Sequence, residues 1–141
     1  MTKQLFILIL TLSIAFLDLN CTSTNKTKER AEYRVEECLR CVRSGDAFTL
    51  SKMLIPEQRQ DQIGANFLEI VEKFNPYFLE PSKGSRVYTE DFVFEENEAS
   101  FAIIWLISLQ GTSSAMKIRM NMKLKFQQGD WYLEASKAEF I

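Results

Sequence analysis

Three patterns of hydrophobic and polar residues follow one another along the chain. Residues 5–17 carry no charge, residues 29–74 repeat their apolar positions at helical spacing, and residues 87–140 alternate at the spacing of a strand. The change of period predicts helices first and a sheet afterwards. This order is typical of an α+β domain, with N-terminal helices packed on a curved four-stranded antiparallel sheet.

The first part of the domain is predicted to form three helices, over residues 29–44, 47–55 and 57–74. Gly45 suits the left-handed position that ends the first helix, and Asp46 suits the cap of the second. Pro56 ends the second helix and Asn75-Pro76 ends the third.

Four strands are predicted afterwards, over residues 87–95, 99–109, 115–127 and 131–140. Residues 115–127 show the clearest alternation and predict a strand with one wet face. Residues 99–109 are apolar at both alternations, which predicts a central strand covered on both faces. Short turns between the strands predict an antiparallel meander.

The uncharged run near the N-terminus is too short to cross a bilayer. As a helix, residues 5–17 would span roughly 20 Å, against about 30 Å of hydrocarbon. With Lys3 before it, the run indicates a secretory signal peptide over residues 1–20. Residues 16–20 lack the small side chains that the general signal peptidase requires, and Cys21 follows directly.

At Cys21 the sequence resembles a bacterial lipoprotein precursor. Asp18 and Asn20 hold lipobox positions beside Leu17 and Leu19, as in the relaxed lipoboxes of spirochaetes. The resemblance implies that Cys21 is lipidated, with fatty acyl chains such as palmitate, and that the chain is cut before it. More than one acyl chain is needed for firm anchoring. The alternative is an uncleaved N-terminal anchor with Cys21 unmodified.

The same resemblance implies where the protein goes. It predicts an exported, membrane-anchored lipoprotein in which residues 21–28 are a lipidated cysteine and polar tether and residues 29–141 are the domain. Thr22 stands where an Asp would indicate retention in the inner membrane, so the outer membrane is favoured.

Composition excludes several function classes. The chain has 17 basic and 19 acidic residues, and loss of Lys3 and Asp18 with the leader keeps the net charge at −2. A chain of that charge is not expected to bind nucleic acid. The sequence has no histidine, so it lacks the commonest general base and the commonest zinc ligand. No metal or cofactor is predicted.

The order of elements also resembles a known superfamily. Helices before a curved sheet, the turn Ser44-Gly45-Asp46 and the closing segment 129–133 are similar to the cystatin-like cone of the nuclear-transport-factor-two-like superfamily. That superfamily hosts isomerases, dehydratases, carriers and interaction domains, so the fold does not select a function.

Glu90 is the candidate catalytic residue. If Tyr88, Phe92 and Phe94 share the core-facing row, Glu90 lies on it too, and a carboxylate facing an apolar cavity could act as a base. Enzymes of the resembled superfamily use acidic residues and tyrosines there. The alternative is a bulge that turns Glu90 into water.

Three aromatic residues are candidates for a small hydrophobic pocket: Tyr88, Trp105 and Tyr132. Such a pocket would take a small apolar ligand. Ordinary core packing is the alternative role for these side chains.

Cys38 and Cys41 form a C-x-x-C pattern in the second half of the first helix. A redox dithiol would instead sit at a helix N-terminus, where its thiolate is stabilised. We therefore favour Cys38 as a small core residue with Cys41 beside it. A disulfide between the two is the alternative.

One face of the third predicted strand carries a basic row, formed by Lys117, Arg119, Lys123 and Lys125. It could meet anionic lipid or a protein partner. The alternative is a solvated face whose charges pair with acidic residues on neighbouring strands.

The leading hypothesis is therefore an envelope lipoprotein whose exported domain binds a protein partner or a small apolar ligand. The alternatives are an isomerase or dehydratase that uses Glu90 with a pocket tyrosine, and a purely structural role in envelope assembly.

Overall fold

The computed structural model describes residues 25–80, 83–109 and 113–141. The signal peptide and Cys21 predicted above lie outside these residues. The helices and strands are α1 (Lys28–Ser44), α2 (Ala47–Met53), the 3-10 turn η1 (Pro56–Arg59), α3 (Gln62–Phe74), the 3-10 turn η2 (Asn75–Phe78), β1 (Arg86–Phe94), β2 (Glu98–Ser108), β3 (Ala115–Gln127) and β4 (Asp130–Phe140). Within the described residues, no helix combines the length and the apolar character that crossing a membrane requires.

The four strands form one antiparallel sheet in the order β1-β2-β3-β4. The pairing of β2 with β3 is unbroken from Glu98–Lys125 to Ser108–Ala115. The predicted α+β class and the predicted meander are confirmed, because the helices precede the sheet and pack on it.

Local capping signals set the ends of the first helices. Thr27 accepts a hydrogen bond from Arg30 at the start of α1, and Gly45 ends the helix at φ +71°. A Cβ at Gly45 would lie 2.6 Å from the Cγ of Asn75, so this turn requires glycine for both conformation and space. Asp46 caps α2 by accepting from the Thr49 N–H, as predicted.

The single helix predicted over residues 57–74 is wrong. The chain forms η1 first and restarts as α3, with Asp61 accepting from the Gly64 N–H at 2.8 Å. A Cβ at Gly64 would lie 1.8 Å from the Gln58 carbonyl oxygen. Glycine at this position therefore lets α3 begin in direct contact with the backbone of η1.

The core lies between the helices and one face of the sheet. Phe67 of α3, Trp105 of β2 and Trp131 of β4 are fully buried in it. Every strand pairs with another strand of residues 86–140, and the buried cluster lies within residues 31–135. The described helices and strands thus share one hydrophobic core, as the elements of a single domain do.

The opposite face of β2 is also buried, as its continuous apolar sequence predicts. Ala102 and Ile104 are both fully buried. In register, Ile104 lies between Tyr88 of β1 and Arg119 of β3, whose side chains are long enough to cover it.

The chain from Leu54 to Gln58, which runs from the end of α2 into η1, protects the free edge of β4. Ile55 donates its N–H to the Leu133 carbonyl at 2.8 Å. The Gln58 amide then pairs with both backbone groups of Ala135, donating to its C=O at 2.8 Å and accepting from its N–H at 2.7 Å. A side chain thus takes the place of a neighbouring strand at this position.

We predict that Gln58→Ala destabilises the domain by about 2 to 4 kcal/mol, because two buried backbone groups of Ala135 lose their partners. Denaturant unfolding of the domain measures this effect. The matched control is Gln62→Ala, an exposed glutamine bonded to Asn66, which we expect to change stability by less than about 0.5 kcal/mol. Equal unfolding midpoints for the two variants would contradict the prediction.

Candidate functional site

A bulge in β1 separates Glu90 from the core. Glu90 pairs with Ala102 and Val93 pairs with Ser100, so two residues of β1 oppose Phe101 alone, and Asp91 adopts φ +60°. The prediction that Glu90 shares the core-facing row of Phe92 and Phe94 is wrong. The alternative, a bulge near the middle of β1, is present.

Glu90 faces outward and forms an ion pair. The Arg119 guanidinium donates to Glu90 at 2.7 Å and to Asp91 at 3.0 Å. These carboxylates raise the pKa of Arg119, with the hydrogen bond to Asp91 as the largest cause. A paired carboxylate at a wet surface lacks the apolar surroundings that the general-base hypothesis required.

The three aromatic residues predicted to line a pocket do not converge. Trp105 is fully buried on the core face, paired with Val87 and Ile118. Tyr88 faces outward, with the guanidinium of Arg86 5.3 Å from its ring centre.

Tyr132 also points away from the core, because Trp131 and Leu133 on either side of it are buried. Its ring lies 5.9 Å from the Arg59 guanidinium. The prediction that Tyr88, Trp105 and Tyr132 line one pocket is therefore wrong. Because side chains alternate along a strand, Trp105 lies on one face of the sheet and the two tyrosines lie on the other.

Most of the basic row is paired with acidic side chains. Besides Arg119, Lys123 lies 3.2 Å from Glu98 and Lys125 lies 2.5 Å from Glu134. The hydrogen bond to Glu134 raises the pKa of Lys125. These contacts favour the solvated, charge-paired face over a surface for anionic lipid.

Cys38 and Cys41 are both buried free thiols. Burial raises the pKa of Cys38, and the neighbouring Cys41 raises it further. Burial, followed by the charges of Asp46 and Glu37, raises the pKa of Cys41. A redox dithiol requires a lowered thiol pKa, so this geometry matches the core-packing interpretation.

One groove of the domain was not predicted from the sequence. It is a groove of about 690 Å³ between α3 and the C-terminal half of β4. Its apolar lining comes from both layers: Ile63, Ile70, Met116, Ile118, Ala138 and Phe140. Polar side chains at its rim include Asn66, Glu69, Lys73 and Lys137.

The groove begins where β4 carries its own bulge. Met122 pairs with Ala135 and Met120 pairs with Ala138, so Ser136 and Lys137 together oppose a single residue. Bulges bend a strand and increase its twist. The sequence contains a signal for this bulge. Positions 131, 133 and 135 share a face at a spacing of two, but the next positions on that face are 138 and 140, so one extra residue lies between 135 and 138.

Comparison of the chain with protein-family models, with curated proteins and with solved structures finds no match. Over residues 25–80, 83–109 and 113–141, no three acidic, cysteine or histidine side chains are grouped so as to hold a metal ion.

We predict that Cys38 and Cys41 stay reduced and react slowly with iodoacetamide at pH 8, because burial keeps both thiols protonated and inaccessible. Alkylation of the native Cys21→Ser protein should be at least about a hundredfold slower than in denaturant, since it requires opening of the helix. Mass spectrometry of the alkylated peptides measures this. A disulfide after air oxidation, or equal rates in both states, would contradict the prediction.

Proposed function

We propose that this chain is an exported, lipid-anchored binding protein whose groove between α3 and β4 takes an apolar ligand or an apolar group of a partner. The observation that carries the proposal is the groove, with Ile63 and Ile70 of α3 facing Met116, Ile118 and Ala138 of the sheet.

The dimensions and chemistry of the groove support a binding role. Ligand sites usually enclose about 300 to 1,000 Å³ and combine apolar walls with a few polar groups. The groove, at about 690 Å³, has that size, and Asn66, Glu69 and Lys73 provide polar groups at one side. Phe140 at its mouth is 73% exposed, which leaves apolar surface for a ligand to cover.

Export and anchoring are supported by the leader and by the position of Cys21 directly after it. Asn25, four residues later, donates to the Gly129 carbonyl at 3.1 Å and accepts from the Trp131 indole at 2.8 Å. The described end of the expected tether is thus bound to the turn between β3 and β4.

The groove lies at the other end of β4, near Phe140. The eleven residues of β4 span roughly 33 Å. The groove is thus separated along β4 from the end at which Asn25 is bound. Catalysis by Glu90 gains no support from this geometry, because Glu90 faces outward and is paired with Arg119.

We predict that Cys21 is the single site of lipidation. A chain expressed in a bacterium that processes lipoproteins should incorporate an alkyne-tagged palmitate, and its mature form should begin at Cys21. Cys21→Ala should abolish the label, whereas Cys41→Ala, the matched control in the buried helix, should retain it. Labelled Cys21→Ala protein, or an unlabelled wild type, would refute the anchor.

We predict that the groove binds an uncharged apolar dye. Without the leader, residues 22–141 should enhance the fluorescence of N-phenyl-1-naphthylamine at one saturable site. Ile70→Trp fills the groove and should weaken binding at least about tenfold, by removing the apolar surface that the dye covers. Leu79→Trp is the control, because Leu79 is 69% exposed and lies outside the groove lining. Equal affinities for the two variants would contradict the groove.

A further inference from the structure

The free edge of β4 changes character at its bulge. In an antiparallel pair, alternate residues direct their N–H and C=O toward the partner strand and away from it. Ile141 donates to the Lys117 carbonyl, which directs the backbone groups of residues 139 and 141 toward β3. The backbone groups of Ala138 and Phe140 therefore point to the outer edge.

The chain itself covers the preceding part of this edge. Leu54 forms a parallel bridge with Leu133, and Gln58 satisfies both backbone groups of Ala135. Among the residues that the structure describes, none bonds to the outward groups of Ala138 and Phe140. The edge is thus occupied as far as Ala135 and open beyond it.

The open edge and the apolar groove adjoin. Ala138 and Phe140 contribute their side chains to the groove and their backbone groups to the edge. A ligand that satisfies both must offer backbone N–H and C=O groups in an extended row, with apolar side chains on one face. That description fits a peptide strand and does not fit a compact small molecule.

We propose that the edge of β4 at Ala138 and Phe140 binds an extended peptide segment of a partner protein as an added strand, with alternate apolar side chains in the groove. This rests on the proposed binding function of the groove and names its partner class. The segment can pair with two outward residues of β4, and its alternate side chains, about 7 Å apart, face α3. Glu69, Lys73 and Lys137 at the rim carry both signs, so apolar pattern dominates over charge in the selection.

A second copy of the chain is the less suitable occupant. A stable protein interface buries about 1,200 to 2,000 Å² and uses some 20 to 30 residues on each side. The open edge extends only from the bulge at Ser136 and Lys137 to the end of β4. Such a short edge suits peptide recognition, in which main-chain bonds and a few side-chain contacts suffice.

The test uses residues 22–141 and a fluorescent seven-residue peptide of alternating threonine and valine between terminal lysines. Anisotropy measures its affinity, and hydrogen exchange measures protection of the Ala138 and Phe140 amides. Two further peptides are N-methylated at the valines or at the threonines. Because one edge of a strand faces β4 and the other faces solvent, one methylated form should lose at least tenfold in affinity and the other should keep it.

Ala138→Pro removes the outward N–H at an edge position where proline is tolerated. Ala138→Val adds side-chain bulk at the same position but keeps the N–H. Peptide affinity should be at least tenfold lower in Ala138→Pro than in Ala138→Val, whereas the dye affinities of these two variants should match each other. Ile70→Trp should lose both peptide and dye binding. This pattern separates the edge from the groove.

Four results would overturn the proposal. They are no peptide binding by a protein that binds dye, unchanged peptide affinity in Ala138→Pro, equal affinity of both methylated peptides, and a dimer whose Ala138 and Phe140 amides are already protected. A wild-type protein that does not bind the dye would instead refute the proposed function of the groove.

Discussion

The arrangement of the two layers depends on how one side chain bonds to the edge of the sheet. Gln58 pairs with both backbone groups of Ala135, as a neighbouring strand would. The backbone carbonyl of Gln58 lies where a Cβ of residue 64 would be. Because residue 64 is glycine, α3 can start in direct contact with that carbonyl. The two contacts together fix α3 over β4, because the residue that binds the strand is also the residue on which the helix begins.

The same contact explains where the surface opens. Within the part of the chain that the structure describes, edge pairing stops at Ala135, and the next two residues form a bulge. Beyond the bulge, α3 and β4 line a groove and leave Phe140 exposed. An edge strand with unpaired backbone groups is a liability that proteins usually cover. The described residues cover this edge along one half and do not bond to the half that adjoins apolar surface.

Periodicity predicted most of the fold because it reports which face of each element is buried. Residues 115–127 alternate without a break, and the strand has those bounds. Periodicity failed at single inserted residues. The extra residue at Asp91 places Glu90 and Phe92 on opposite faces of the sheet. The three-residue step from Ala135 to Ala138 marks the second bulge. Gln58 had no signal, because a polar side chain that replaces a strand follows no period.

The proposed lipid anchor would compensate for the low affinity expected of the proposed peptide site. A hydrogen bond contributes about 0.5 to 1.5 kcal/mol net, and association itself costs about 4 kcal/mol or more, so the few bonds through Ala138 and Phe140 leave little net binding energy. Such a site is weak in free solution. Confinement to one membrane raises the effective concentration of partners there, as a short linker does. A lipid anchor at Cys21 would therefore make a short open edge sufficient for recognition.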